Sequence, residues 1–242
     1  RVVDRFGRRR ERLSNDVPAV QPSPRIRMTH AYERVGAVGF EGDEVVQIHV
    51  LILPHSGNVQ HHHHGFAHMT LNFEVTGFGG GEYGVRGAVV ALDQATGKEI
   101  WRTHTVPVGN EKNADTWKGD SGKTGGGAAW FIGSYDPKLN LVYYGTSNPA
   151  PWSAAIRGND SSDVGKFSNL YTASVVALNP DTGNIQWHYQ FTPHDTHDWD
   201  ANQTPVLADL TINGQPRKVL MQANRNGFMF VLDRITGQFL TA

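Results

Sequence analysis

The sequence contains no cysteine. That absence excludes disulfide bridges, Cys-X-X-Cys redox chemistry, cysteine-ligated zinc and a covalently attached c-type haem within this chain. It leaves the compartment open, because a chain without thiols suits oxidising and reducing surroundings alike. Long apolar runs are lacking too: none approaches the roughly 18 residues of a membrane-spanning helix. The start is basic, with Arg8, Arg9, Arg10 and Arg12, yet it leads into no apolar stretch, so no secretory signal peptide is recognisable. Nor is charge of one sign in excess. With 22 Lys and Arg against 23 Asp and Glu, the formal net charge is -1. That balance gives no electrostatic reason to expect nucleic acid or an acidic membrane surface as partner.

What is present favours β-structure. The 242 residues include 27 Gly and 12 Pro, with a 10% aromatic share, a composition suited to many short strands and turns. This length is enough for one large domain or two small ones with a substantial core. The pattern changes near Thr76. Residues 1–76 read as an irregular segment: an Arg-rich start, a polar Pro-containing stretch (17–24), one apolar run (45–53) and the tract His61, His62, His63, His64. The tract reads as a solvated loop or expression remnant, with a metal site as the alternative.

Residues 77–242 are regular. Apolar segments at 88–92, 128–132, 141–144, 174–178, 218–221 and 228–232 alternate with turn-forming stretches. They are rich in Val, Tyr and Phe and too short for helices, and Asn226-Gly227 is a strong hairpin signal. A unit also repeats. Ala91-Leu92-Asp93-Gln94-Ala95-Thr96-Gly97 leads to Trp101, and Ala177-Leu178-Asn179-Pro180-Asp181-Thr182-Gly183 leads to Trp187. A weaker copy, Val231-Leu232-Asp233-Arg234-Ile235-Thr236-Gly237, lacks the Trp. Hairpins that cannot bury a face alone imply stacked sheets, as in a propeller. The uneven spacing of the copies places long insertions between some of them, where sites are commonly built.

Three segments carry more polarity or glycine than a core requires. In the first, Gly79, Gly81 and Gly84 formally satisfy G-x-G-x-x-G, but a strand follows instead of a helix, so the anion site of a dinucleotide fold is missing. These glycines suit close backbone approach to a planar ligand, with Glu82 beside it; the plain alternative is a tight bulge. In the second, Trp130 follows small residues and can offer an open ring face, while Asn148 can offer a side-chain carbonyl to a hard cation. Core packing and turn formation are the ordinary uses of those two residues. In the third, residues 194–200 (HDTHDWD), an extended backbone would turn Asp198 and Asp200 to one face and Trp199 to the other. Paired carboxylates repel unless a cation or proton lies between them. A polar loop, or a transition-metal site using His194 and His197, is the alternative.

Taken in order, GGEYGVRG, WKGD, TGGGAAW, GTSNPAPW, TPHDTHDWD and NRNGFMFVLDR resemble the PQQ-dependent (quinoprotein) alcohol dehydrogenases of the methanol and ethanol dehydrogenase group, over about two-thirds of the chain. The resemblance implies an all-β fold, part of an eight-bladed β-propeller, spanning residues 77–242. It implies pyrroloquinoline quinone (PQQ) and a metal ion as cofactors, a small alcohol as substrate, a cytochrome c-type electron acceptor and a periplasmic location. By motif, Glu82, Asn148 and Asp198 match the metal ligands, and Asp198 also the catalytic base. Trp130 matches the stacking floor of the quinone, Arg225 the cation on its reactive oxygen, and Gly80 and Gly81 the backbone beside it. A second Asp two positions after the base marks the lanthanide-dependent members, so Asp200 points to a lanthanide ion over Ca2+. A register shift making Asp200 the base is the alternative. The family's adjacent-cysteine disulfide and upstream cofactor-binding motifs are missing. Residues 1–76 read as a divergent insertion or a wrong-frame translation. The rival reading is a non-enzymatic propeller scaffold of the outer-membrane assembly lipoprotein type, which shares the repeat but has no need of the site residues.

Overall fold

A computed structural model describes the strand at 49–51 as backbone, and residues 73–158 and 165–242 in full. The Arg-rich start and the His61–His64 tract lie outside the described residues.

Twelve strands form three four-stranded antiparallel sheets. The first contains β1 (His49–Leu51), β2 (Phe73–Gly77), β3 (Ala88–Asp93) and β4 (Glu99–His104). The second contains β5 (Ser134–Asp136), β6 (Leu141–Gly145), β7 (Ser174–Leu178) and β8 (Ile185–Gln190). The third contains β9 (Val206–Ile212), β10 (Gln215–Ala223), β11 (Met229–Asp233) and β12 (Phe239–Thr241). Each sheet is an up-and-down meander in which sequence neighbours pair. The first sheet draws β1 and β2 from the sequence ahead of the regular half. The apolar run at 128–132 forms no sheet strand; Gly126, just before it, makes isolated bridges to Arg86 and Pro149.

The repeated unit is the hairpin between the third and fourth strands of every sheet. Asp93 and Asp233 end the third strand and Asn179 directly follows it, and each side-chain Oδ1 accepts the backbone N–H of the Thr three residues on, at 2.8, 3.1 and 3.0 Å. This is an Asx turn, which a short carboxylate or amide closes locally. The following glycines, at φ 68°, 73° and 75°, occupy the left-handed region that side chains disfavour. A bulge follows at the same place in all three copies, beside Leu92, Leu178 and Leu232.

Packing follows the two-residue period of strands. In the middle sheet Val142, Tyr144, Val176 and Leu178 face Val75, Val89 and Ala91 of the first sheet. Their neighbours Leu141, Tyr143, Val175 and Ala177 face Leu220, Phe230 and Leu232 of the third. With both faces covered, β6 and β7 are buried along their whole length. Full burial of one such Leu or Val contributes roughly 1.5–3 kcal/mol. Two buried phenols lock the stack: Tyr144 donates to the Val75 carbonyl at 2.8 Å and Tyr143 to the Arg234 carbonyl at 2.9 Å.

Candidate active site

In a four-stranded meander, the link from strand two to strand three emerges at the same sheet edge as the link to the next sheet. Glu82 lies between β2 and β3, Asn148 between β6 and β7, and Arg225 between β10 and β11, while Asp198 and Asp200 lie between β8 and β9. Strand parity alone therefore sends all five residues to one edge, opposite the Asx turns.

Glu82 sits on a single 3-10 turn, Gly81–Tyr83, flanked by Gly80 (φ 86°) and Gly84 (φ 73°). Gly81 is buried so closely that a Cβ there would lie 3.2 Å from Ser147 Oγ and 3.4 Å from the Ala128 Cβ. The Glu82 turn is thus seated on the two segments that carry Trp130 and Asn148. Those segments are themselves joined: Ser147 N–H donates to the Ala128 carbonyl at 2.9 Å, and Gly127 N–H to the Asn148 carbonyl at 3.0 Å. Asn202 Nδ2 also donates to the Ala128 carbonyl, at 3.0 Å.

Asp200 is the hub. It is buried, accepts the Asn148 backbone N–H on Oδ1 at 2.9 Å, and pairs with Arg225 Nη1 through Oδ2 at 2.9 Å. Burial pushes its carboxyl above the usual range; the Asn148 N–H pulls it down, Asp198 pushes it up, Arg225 pulls it down, and Glu82 pushes it up. Glu82, Asp198 and Arg225, all singled out from sequence, therefore act on Asp200 together with the Asn148 N–H. Asp198 and Asn148 line one pocket of about 180 Å³, together with Pro149, Trp152, Asp195, Thr196 and His197. Asn148 Oδ1 is buried and accepts no hydrogen bond among the described residues. An orphaned carbonyl oxygen of this kind costs about 1–3 kcal/mol unless something positive meets it.

One expectation needs correcting. The backbone around Asp198 is not extended: residues 191–194 and 196–197 are turns and bends, and His194 (φ 51°) and Asp198 (φ 64°) are left-handed. Simple alternation therefore does not set the directions of Asp198 and Asp200. Asp195 organises the turn instead, its carboxylate accepting the N–H groups of His197 at 2.8 Å and Trp199 at 2.7 Å. His194 Nδ1 lies 2.6 Å from the Phe167 carbonyl, and its buried Nε2 has no partner among the described residues. Trp130 is exposed, with Phe131 edge-to-face against its ring at 5.6 Å. Trp152, the last residue of GTSNPAPW, lines the pocket without having been singled out from sequence, and Arg157 lies outside every quoted motif.

The donors gathered here are carboxylate and amide oxygens, which suit a hard cation of high coordination number. Among the described residues no three His, Asp or Glu side chains are close enough to cage an ion unaided. The neutral Asn148 oxygen is what makes the set fit a metal ion. Acidic groups with no cation between them repel and stand apart.

Stacked four-stranded antiparallel sheets, with a pocket built from loops at one edge, define part of a β-propeller that carries carboxylate and amide side chains at that edge. Residues 78–242 match the family described as "PQQ: Glucose/ethanol/alcohol dehydrogenase, beta-propeller domain", and the chain belongs to that family. It is 49% identical over 179 residues to the quinohemoprotein alcohol dehydrogenase ADH-IIG of Pseudomonas putida, covering 69% of this chain and 24% of that protein. Identity to the lanthanide-dependent methanol dehydrogenase of Methylorubrum extorquens is 39% over 186 residues, covering 69% of this chain and 30% of that one. Among solved structures, a europium-containing methanol dehydrogenase superposes with a TM-score of 0.64 at 37% identity, over 71% of this chain and 32% of that one. The chain thus spans about a quarter to a third of the length of the relatives it matches. No helix among the described residues is long and apolar enough to cross a membrane.

Proposed function

We propose that this chain carries the metal- and substrate-facing part of a PQQ-dependent alcohol dehydrogenase site, oxidising small alcohols to aldehydes or ketones. The observation that carries the reading is the buried, unpartnered Asn148 Oδ1 beside the pocket shared with Asp198, with Asp200 and Arg225 paired behind it. In this reading Glu82, Asn148, Asp198 and Asp200 hold the metal ion through oxygen, and a lanthanide is favoured over Ca2+ because Asp200 adds a carboxylate. Gly80 and Gly81 let backbone approach the quinone, and the Trp130 ring is its stacking floor. When bound, PQQ supplies the two-electron sink and the metal a Lewis acid.

The protein's own groups do the rest. Asp198 takes the alcohol's hydroxyl proton as general base, since the other pocket carboxylate, Asp195, already accepts the His197 and Trp199 N–H groups. Asp200 anchors Arg225 through one nitrogen, leaving the half-exposed guanidinium donors for the quinone oxygen. A pocket of about 180 Å³ has room for a small alcohol. From the family follow a cytochrome c-type electron acceptor and a periplasmic setting.

The test is terbium luminescence sensitised by the nearby tryptophans. The chain should bind Tb3+, and Asn148→Ala and Asp198→Ala should each weaken binding by about tenfold or more. Absence of Tb3+ binding to the chain, or binding indifferent to both substitutions, refutes the assignment.

A further inference from the structure

We infer that Arg157 is the positioning residue that fixes the Asn148 wall of the pocket against the Asp198 wall. The inference deepens the reading above and rests on it for its functional meaning, but not for its geometry.

Arg157 closes the short helix α1 (Ala154–Arg157) and is completely buried. Its guanidinium reaches three separate segments. Nε donates to the Pro151 carbonyl at 2.7 Å, and Nη2 to the Trp152 carbonyl at 3.3 Å, both in the loop that carries Asn148. Nη2 also donates to the Asp195 carbonyl at 2.7 Å, in the turn that carries Asp198. Nη1 donates to Asn169 Oδ1 at 2.6 Å, and Asn169 Nδ2 returns a bond to the Arg157 carbonyl at 3.1 Å. One rigid planar group thus bridges both walls of the pocket and ties them to a third loop.

Among the described residues no carboxylate ion-pairs with this cation. Its acceptors are backbone carbonyls and one amide, an arrangement that fixes geometry and adds little Coulomb energy. Burial lowers the guanidinium's pKa to about 10, the nearby Asp195 charge opposing the shift. It nonetheless stays protonated near neutrality. A cation kept so deep, at evident desolvation cost, is explained by the fork it presents: five donors in fixed directions, which the single ammonium of a lysine cannot reproduce. The Asp195 side chain extends the link, because it holds the His197 and Trp199 N–H groups on either side of Asp198. The chain of contacts runs from Asn148 through Pro151 and Trp152 to Arg157, then through Asp195 to Asp198. Arg157 itself is not among the residues that line the pocket, so its role is positional.

The experiment compares Arg157→Lys with Arg234→Lys. Arg234 is equally a buried cation on backbone and carboxylate acceptors, but it lies in the Asx turn between β11 and β12, away from the pocket. Hydrogen exchange would be followed by mass spectrometry on segments 146–152 and 192–200, together with Tb3+ affinity. Arg157→Lys should speed exchange in both segments and weaken Tb3+ by about tenfold. Arg234→Lys should do neither, even at equal loss of thermal stability. Unchanged exchange in those segments overturns the inference, as does an equal Tb3+ loss in both variants. If the unsubstituted chain binds no Tb3+ while Arg157→Lys still loosens both segments, the positioning role stands and the metal reading fails.

Discussion

Trp101, at the end of the first sheet's repeat, lies against Gly183 in the Asx turn of the second. Its Nε1 donates to the Pro180 carbonyl at 2.8 Å, and a Cβ on Gly183 would sit 2.6 Å from its ring. The same relation recurs one sheet on, where a Cβ on Gly237 would meet the Trp187 ring at 2.6 Å. The second and third repeats therefore each close their own hairpin and receive the tryptophan of the preceding sheet. This accounts for the Thr-Gly and the Trp recurring together.

Gly183→Ala should accordingly destabilise far more than Gly97→Ala. Both glycines have positive φ, but nothing lies within 4 Å of a Cβ at Gly97. Gly97→Ala should cost about 1 kcal/mol, the backbone strain alone. Gly183→Ala should cost that plus roughly 1–3 kcal/mol of steric conflict. Urea titrations of the two variants measure the difference, and equal costs would show that the Trp101 contact does not carry the interface.

A second prediction concerns Arg234 and Asp136, which join the third sheet to the second at 2.6 Å with both side chains buried. Arg234→Met leaves Asp136 buried without its cation and should destabilise by about 3–5 kcal/mol. Adding Asp136→Asn should recover part of that loss, because the stranded charge is removed. Denaturant midpoints of the two single variants and the double variant decide it.

Metal selectivity supplies a third. Asp200→Ala should lower the preference for Tb3+ over Ca2+ by roughly tenfold in competition titrations, since a trivalent ion gains more from the added carboxylate. Asn148→Ala removes a neutral oxygen and should weaken both ions alike. An unchanged ratio in Asp200→Ala would remove the case for a lanthanide.

The fourth is a pH dependence. Burial, aided by Lys112, holds His188 below the usual imidazole pKa, and its ring packs edge-on to Tyr171 at 4.7 Å. The unfolded chain takes up a proton near 6.5 while the folded chain still resists it. Stability should therefore be full above about pH 6.5 and fall as pH drops toward the lowered folded value. His188→Gln should flatten the slope of Tm against pH between about 5 and 6.5. An unaltered slope would assign the acid sensitivity to another group, such as His104, whose pKa burial likewise lowers.

The repeat and the β-class were legible because their causes are local. An Asp or Asn accepting from the Thr three residues on, and a Gly at positive φ, depend on a handful of neighbours in sequence. Strands β6 and β7 announced themselves because both faces are buried. By contrast β5, β8 and β9 carry mixed or exposed residues and were not apparent as apolar runs. The segment at 128–132 was the opposite case: its apolar residues fill the space beside Gly77, where a Cβ would lie 2.0 Å from the Ala129 carbonyl, without joining a ladder.

By itself, then, the sequence determined the hairpins, their recurrence and the identities of the oxygen-bearing side chains Glu82, Asn148, Asp198 and Asp200, since these rest on short-range chemistry and ordered motifs. Only the tertiary structure decided how those side chains are disposed. The diversion of Asp200 to Arg225 and the Asn148 N–H, and the hold of Arg157 on Asn169 and Asp195, are set by partners distant in sequence. The physical reason is that a buried polar group takes its direction from whichever donors and acceptors the packed sheets bring within about 3 Å of it, and no local periodicity encodes that.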